Sequence, residues 1–238
     1  MKTIEVCIVP SLLNLYDTKN KVIVIVDIFR ATSIICTMFM NGASKVIPVE
    51  SLEIAKEYKE KGFLVAAERN GKKLDFADFG NSPFEFTPAK VKGKTIVYST
   101  TNGTNTINLC RNFDLVVISS FLNFTSTVNF LINQNKDIII LCSGWEGNLC
   151  LEDTVFAGVL SEKLISTNLF LAQDDSALNS MDIWNHAKPD ITKYLSKSFQ
   201  FKRLTKLGMN DIIKYCLTFD KTEISPVLTG NFIGKHQL

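Results

Sequence analysis

From residue 4 to about residue 167, strand-sized apolar runs alternate with stretches of helical period, a pattern that few architectures other than a layered α/β fold can accommodate. The apolar runs span 4–9, 22–26, 45–49, 64–67, 95–98, 115–118 and 137–142. Helical patterns fall between them at 32–40, 52–61, 104–111, 125–134 and 152–166, with Ser51 and either Asn123 or Thr125 placed as N-caps. Crossovers of that length favour parallel pairing. Residues 69–94 lack a period and cluster Gly, Pro, Asn and Asp, which reads as irregular structure or a short hairpin. A loop of that length in a compact domain points to function. Beyond residue 174 the pattern is mostly helical, through 177–186, 190–195, 199–207 and 211–216, with Gly208 as a C-cap and Asn210 as an N-cap. The expected fold is α/β, a layered, mixed or mostly parallel sheet with flanking helices. Residues 1–170 would form the α/β catalytic core, and residues 171–238 a mostly helical C-terminal portion packed on it.

The chain has 238 residues, 46% hydrophobic and 21% charged, enough to bury a sizeable core. A net charge of +2 is too small to suggest a nucleic-acid footprint, and Lys202, Arg203 and Lys206 read as a solvated helix face. No apolar run approaches membrane-spanning length, and the N-terminus lacks the pattern of a signal peptide, so a cytoplasmic protein that neither inserts in membranes nor binds nucleic acid is expected. The six cysteines are scattered without a C-x-x-C pair and read as small, reduced core residues. With two histidines, His186 and His236, and no clustered soft ligands, structural zinc is not expected.

Polar, Gly-containing motifs stand where the strands end, which is where ligands bind in open α/β sheets. Ser99 to Thr104 joins a strand to a helix. Its hydroxyls, the Asn102 amide and the N–H groups around Gly103 would cradle phosphate, or Asn102-Gly103 is a turn and the threonines cap the helix. Asp27 closes the most continuous apolar strand, with Arg30 three residues on. The pair offers a carboxylate for a hard cation or for attack on phosphorus and a planar fork for phosphate oxygens, or else a structural ion pair capping the helix near Thr32. Glu68 ends another strand beside Arg69. Glu152 and Asp153 open a helix after Ser143-Gly144, either as macrodipole partners or as magnesium ligands. Gly80-Asn81-Ser82-Pro83 is a rigid turn or a loop that delivers Asn81 and Ser82 to a ligand. Spacing rejects several schemes. No cysteine has an Arg six residues later, Asp27 has no second acid two residues on, and Arg-His-Gly, P-loop and G-x-G-x-x-G motifs are missing.

In order and spacing, Asp27-x-x-Arg30-Ala31-Thr32, Glu68-Arg69, Gly80-Asn81-Ser82-Pro83, Thr100-Thr101-Asn102-Gly103-Thr104, Ser143-Gly144 and Glu152-Asp153 resemble the 2-phosphosulfolactate phosphatase family, over about residues 22–220. The resemblance implies a magnesium-dependent hydrolysis of 2-phospho-3-sulfolactate to 3-sulfolactate and phosphate, a reaction of coenzyme M biosynthesis and bacterial sulfolactate formation. Under it, Asp27, Arg30, Glu68 and Asp153 are the catalytic candidates, and Asp27, Glu68, Glu152 and Asp153 the Mg2+ candidates. Arg30, Thr32 and the loop Thr100, Thr101, Asn102, Gly103 and Thr104 would hold phosphate, with Ser143 and Gly144 nearby. Arg69, Asn81 and Ser82 would hold the sulfonate or carboxylate end. The family carries a Ser-x-His-like element where this chain has Ser198-Phe199-Gln200, and an amide donates a hydrogen bond but is no general acid. Two other readings stay open, a phosphatase for another phosphorylated hydroxy acid or sugar phosphate and an inactive anion-binding sensor. A homodimer is the default for a soluble enzyme of this kind.

Overall fold

The computed structural model describes residues 1–69, 71–100 and 102–235; Thr101 and His236, named above, lie outside the described residues. Strand β1 (Lys2–Cys7) is followed by β2 (Val22–Val26), helix α1 (Ala31–Met40), β3 (Lys45–Pro48), α2 (Leu52–Glu60), β4 (Leu64–Arg69) and the short β5 (Lys72–Lys73). The chain continues through α3 (Pro88–Val91), β6 (Thr95–Ser99), α4 (Gly103–Leu109), β7 (Leu115–Ser119), α5 (Phe124–Gln134), β8 (Ile138–Cys142), α6 (Leu151–Ile165) and β9 (Phe170–Ala172). Four helices, α7 (Asp175–Ala187), α8 (Ile191–Leu195), α9 (Phe199–Lys206) and α10 (Asn210–Cys216), precede the hairpin of β10 (Pro226–Thr229) and β11 (Phe232–Lys235). The alternation read from the sequence is present throughout. Ser51 caps α2 by accepting from the Ile54 N–H, Gly208 ends α9 with φ +74°, and residues 69–94 hold the β4–β5 hairpin. Met209, not Asn210, occupies the N-cap of α10.

The sheet runs β5-β4-β6-β3-β11-β10-β7-β2-β8-β1-β9. Two parallel blocks, β4-β6-β3 and β7-β2-β8-β1-β9, are joined by the C-terminal hairpin, which pairs antiparallel with β7 on one side and β3 on the other. The two blocks therefore run in opposite hydrogen-bonding senses, and a C-terminal region read as helical supplies the middle of the sheet. The signal was in the sequence, since Gly230-Asn231 between apolar residues is a two-residue hairpin turn.

Strand β2 is buried along its whole length, as a Val-Ile-Val-Ile-Val strand flanked by two parallel neighbours should be. Its alternate residues feed two cores. Val22, Val24 and Val26 pack with Phe156, Leu160 and Trp184 of α6 and α7, whereas Ile23 and Ile25 pack with α1 and with Ile96 and Tyr98 of β6. That second core joins strands five places apart in the sheet, so the sheet curls around it. A twist of roughly 20–25° per strand pair accumulates over the five steps from β6 to β2 to a turn of roughly 100°. It carries the C-terminal ends of the two opposed blocks toward one cleft. Among the described residues, no helix is long and apolar enough to cross a membrane. All six cysteines are buried and free, with burial raising the thiol pKa of each.

Candidate active site

Six chain segments converge on one cleft. Asp27, Phe29, Arg30 and Ala31 enter from the β2–α1 junction, Glu68 from the end of β4 and Asn81 from the loop beyond it. Thr100, Asn102 and Gly103 come from the β6–α4 junction, Gly144, Trp145, Cys150, Glu152 and Asp153 from the β8–α6 connection, and Gln200 and Arg203 from α9.

Threonines fix two of these junctions in similar ways. Thr32 Oγ1 accepts from the Asp27 N–H at 3.1 Å and donates to the Asp27 carbonyl at 2.9 Å. Thr104 Oγ1 accepts from the Thr100 N–H and donates to the Thr100 carbonyl, both at 3.1 Å, while the Thr104 N–H reaches Thr100 Oγ1. Each hydroxyl thus holds a strand end against the first turn of the following helix, the local competition with regular backbone pairing that Ser and Thr favour at such places. Thr32 and Thr104 lie behind the cleft rather than in it.

Asp153 ties the third junction to the first. Its Oδ1 accepts from the Ile28 N–H at 2.9 Å and its Oδ2 from the Gly144 N–H at 3.1 Å. Asp27 Oδ1 accepts from the Ala31 N–H at 3.1 Å. Arg30 donates to the Asn81 carbonyl oxygen, and Asn81 Oδ1 accepts from the buried Tyr98 hydroxyl at 2.5 Å, so Asn81 positions the guanidinium through its backbone. Glu68 Oε2 accepts from the Gly71 N–H at 2.7 Å.

Arg69 does not line the cleft. Its guanidinium donates to the Glu68 carbonyl at 2.7 Å and to Ser99 Oγ at 3.3 Å. Ser82 precedes a single 3-10 turn, Pro83–Glu85, without a side-chain cap, and Ser143 Oγ is buried behind the cleft with no partner among the described residues. Trp145, Cys150 and Arg203 line the cleft although the sequence had not marked them. The expected solvated face of α9 holds only in part, because Arg203 turns inward while Lys202 and Lys206 stay exposed. The available signal was the i, i+3 spacing from Gln200, which sets Arg203 on the same side of the helix.

Four carboxylates, Asp27, Glu68, Glu152 and Asp153, are each at least nine-tenths buried along this cleft. Burial raises the pKa of Asp27, Glu152 and Asp153; charge repulsion from Asp27 adds to it at Glu152 and Asp153. Backbone N–H groups and Arg30 draw Asp27 the other way. Burial pushes the Cys150 thiol far up, so it lines the wall as a neutral group and not as a nucleophile.

Glycine at 103 is required by close approach. A Cβ there would lie 2.3 Å from Ala31 Cβ and 2.5 Å from Asp27 Oδ2. Gly103→Ala is therefore expected to displace the Asp27 carboxylate and lower kcat/KM about 100-fold, the scale of a 1 Å misplacement. Steady-state phosphate release by the purified variant checks this, and wild-type kinetics would show that the Asp27 position does not matter.

The family model for 2-phosphosulpholactate phosphatase matches residues 7–231. A probable 2-phosphosulfolactate phosphatase of Caldanaerobacter subterraneus subsp. tengcongensis is 37% identical over 225 residues, covering 93% of each chain. Proteins of the same description from Thermotoga maritima and Clostridium perfringens are 38% and 35% identical, over 89% and 90% of this chain and 91% and 89% of their own.

Proposed function

We propose, from the premise that this chain belongs to the 2-phosphosulpholactate phosphatase family, that it hydrolyses the phosphate ester of 2-phospho-3-sulfolactate with the help of magnesium. The family is one of phosphoric monoester hydrolases. The observation that carries the reading is the charge of the cleft: four buried carboxylates and two guanidinium groups line a space into which a multiply anionic ester must fit. Carboxylates repel such a substrate unless a cation offsets their charge, and a hard divalent ion held by these carboxylates would meet that need.

The donor set fits magnesium. Among the described residues, no group of three or more His, Cys, Asp or Glu side chains forms a ready metal cage. Magnesium seldom needs one, since it takes one or two carboxylates and completes its shell with water and substrate oxygens. Asp27 and Glu152 would hold it. Asp153 spends one oxygen on each of two backbone amides, and Glu68 carries the Gly71 N–H. When bound, the ion neutralises charge on the phosphoryl oxygens during transfer.

The remaining work falls to the protein. Arg30, anchored on the Asn81 carbonyl, together with the Asn102 and Gly103 segment, orients the phosphoryl group beside Asp27. The bond from phosphorus to the C2 oxygen breaks, a water oxygen becomes bonded to phosphorus, and the leaving alkoxide takes up a proton to give 3-sulfolactate.

The test is phosphate release from 2-phospho-3-sulfolactate beside a panel of phosphorylated hydroxy acids and sugar phosphates, before and after chelation. Expected is release from the sulfonated ester that drops more than about 100-fold with chelator and returns with magnesium. Undiminished turnover after chelation removes the metal from the reading. Saturable binding with no release from any panel member turns it into the anion sensor.

A further inference from the structure

We propose that Arg203 binds the sulfonate of the substrate, held in place by Trp145 and Gln200; the inference rests on the substrate class proposed above and names the residue that selects it. Among the described residues, Arg30 and Arg203 are the two cations lining the cleft. Arg30 enters from the β2–α1 junction and Arg203 from α9, and a Cβ placed on Gly71 would lie 3.9 Å from Arg30 Nη2 and 3.8 Å from Arg203 Nη2, so both guanidinium groups border the same stretch of cleft wall. Two guanidinium groups bordering one cleft suit a ligand that carries more than one anionic group. A small acid carrying two strong anionic groups matches that pair of cations better than a simple phosphate monoester.

The two arginines are committed differently. Arg30 Nη1 is spent on the Asn81 carbonyl and on Met209 Sδ, deep beside Asp27. Arg203 makes no ion pair among the described residues, and its bond to Gln200 Oε1 is long, at 3.4 Å. Its guanidinium rests 5.5 Å from the centre of the Trp145 ring, which in turn stacks on Phe199 at 5.2 Å with 26° between the planes. The side chain is oriented by contacts that leave most of its N–H donors unspent.

Sulfonate suits such a place. It is a strong acid, anionic at any working pH, with its charge spread over three oxygens, and a weakly hydrated planar guanidinium on an aromatic face is the matching donor. Arg69, the sequence-based candidate for this end of the substrate, has its guanidinium bonded to Glu68 and Ser99.

The experiment compares wild type, Arg203→Gln and Arg203→Lys on 2-phospho-3-sulfolactate and on 2-phospholactate, which keeps phosphate and carboxylate but has a methyl group in place of the sulfomethyl. Arg203→Gln is expected to raise KM for the sulfonated ester about 30-fold with kcat nearly unchanged, the scale of one lost charged hydrogen-bonding group. Kinetics on 2-phospholactate should stay within about twofold, which also reports an intact fold, and Arg203→Lys should recover part of the loss. Equal losses on both esters, or no loss on either, overturn the assignment. Calorimetric binding of 3-sulfolactate separates this inference from the phosphatase reading. If wild type binds 3-sulfolactate and Arg203→Gln does not, the sulfonate site stands even where no ester is hydrolysed. If both bind it equally, the site falls even where turnover is confirmed.

Discussion

Asp27→Asn is expected to lower kcat/KM by about 1,000-fold or more while leaving the unfolding temperature in magnesium-free buffer unchanged or higher. The activity loss follows from place. Asp27 ends the central strand, accepts the Ala31 N–H, and sets its second oxygen against Gly103, where the phosphoryl group would be held. A preorganised charge at the reacting centre is the kind of group whose removal costs most. The stability gain follows from burial. Asp27 shares its cleft with three other buried carboxylates, and desolvation raises its pKa above the ordinary carboxylate range. A group whose folded pKa is raised is disfavoured in its ionised form on folding, so at neutral pH the carboxylate works against the fold and a neutral amide does not. Phosphate-release kinetics and thermal unfolding of the same preparation test both halves. Turnover at the wild-type rate would take Asp27 out of the reaction. Lost activity with a large drop in unfolding temperature would make its role structural. Opposite movement of activity and stability is the mark of a functional residue held at a cost to the fold.

Gly158→Ala should produce the largest stability change, although on helix propensity alone it would stabilise by about 1 kcal/mol. Gly158 lies within α6 where α7 crosses it. A Cβ there would stand 2.0 Å from the Ser180 carbonyl oxygen, 2.6 Å from its carbon and 2.8 Å from Trp184 Cβ. The nearest two are backbone atoms, so no rotamer change relieves the contact and the helices must separate. Overpacking of this kind costs about 3 kcal/mol. For a chain of this size that is a fall in unfolding temperature of roughly 6–12 °C. Since the first turn of α6 carries Glu152 and Asp153, kcat should fall as well. An unfolding temperature at or above that of wild type would mean that propensity outweighs contact and that α7 yields freely.

Much of the fold was legible because buried strands and amphipathic helices impose distinct periods on the sequence. The Val-Ile-Val-Ile-Val run of β2 announces a central strand, and Ser51 and Gly208 mark helix ends by local chemistry alone. The site was legible where polar residues interrupt these periods, as at Asp27, Arg30, Asn102-Gly103 and Glu152-Asp153, all of which reach the cleft. The strand-end motifs held two kinds of residue that sequence could not tell apart. Asp27, Arg30 and Gly103 face the cleft, whereas Thr32, Thr104 and Arg69 pin the backbone behind it. Arg203 was missed because the i, i+3 spacing places it on the face of Gln200 without saying which face of α9 turns to the cleft.

The sequence by itself determined the layered α/β class, most element positions and the chemical kinds of group gathered in the cleft, because these depend on local period, capping and side-chain type. Tertiary structure alone decided that the C-terminal hairpin joins two opposed parallel blocks, that the sheet curls until the ends of β2 and β6 line one cleft, and that Arg203 faces the same cleft as Arg30. Those outcomes depend on pairing and twist accumulated across strands far apart in the chain, which no short window of residues encodes.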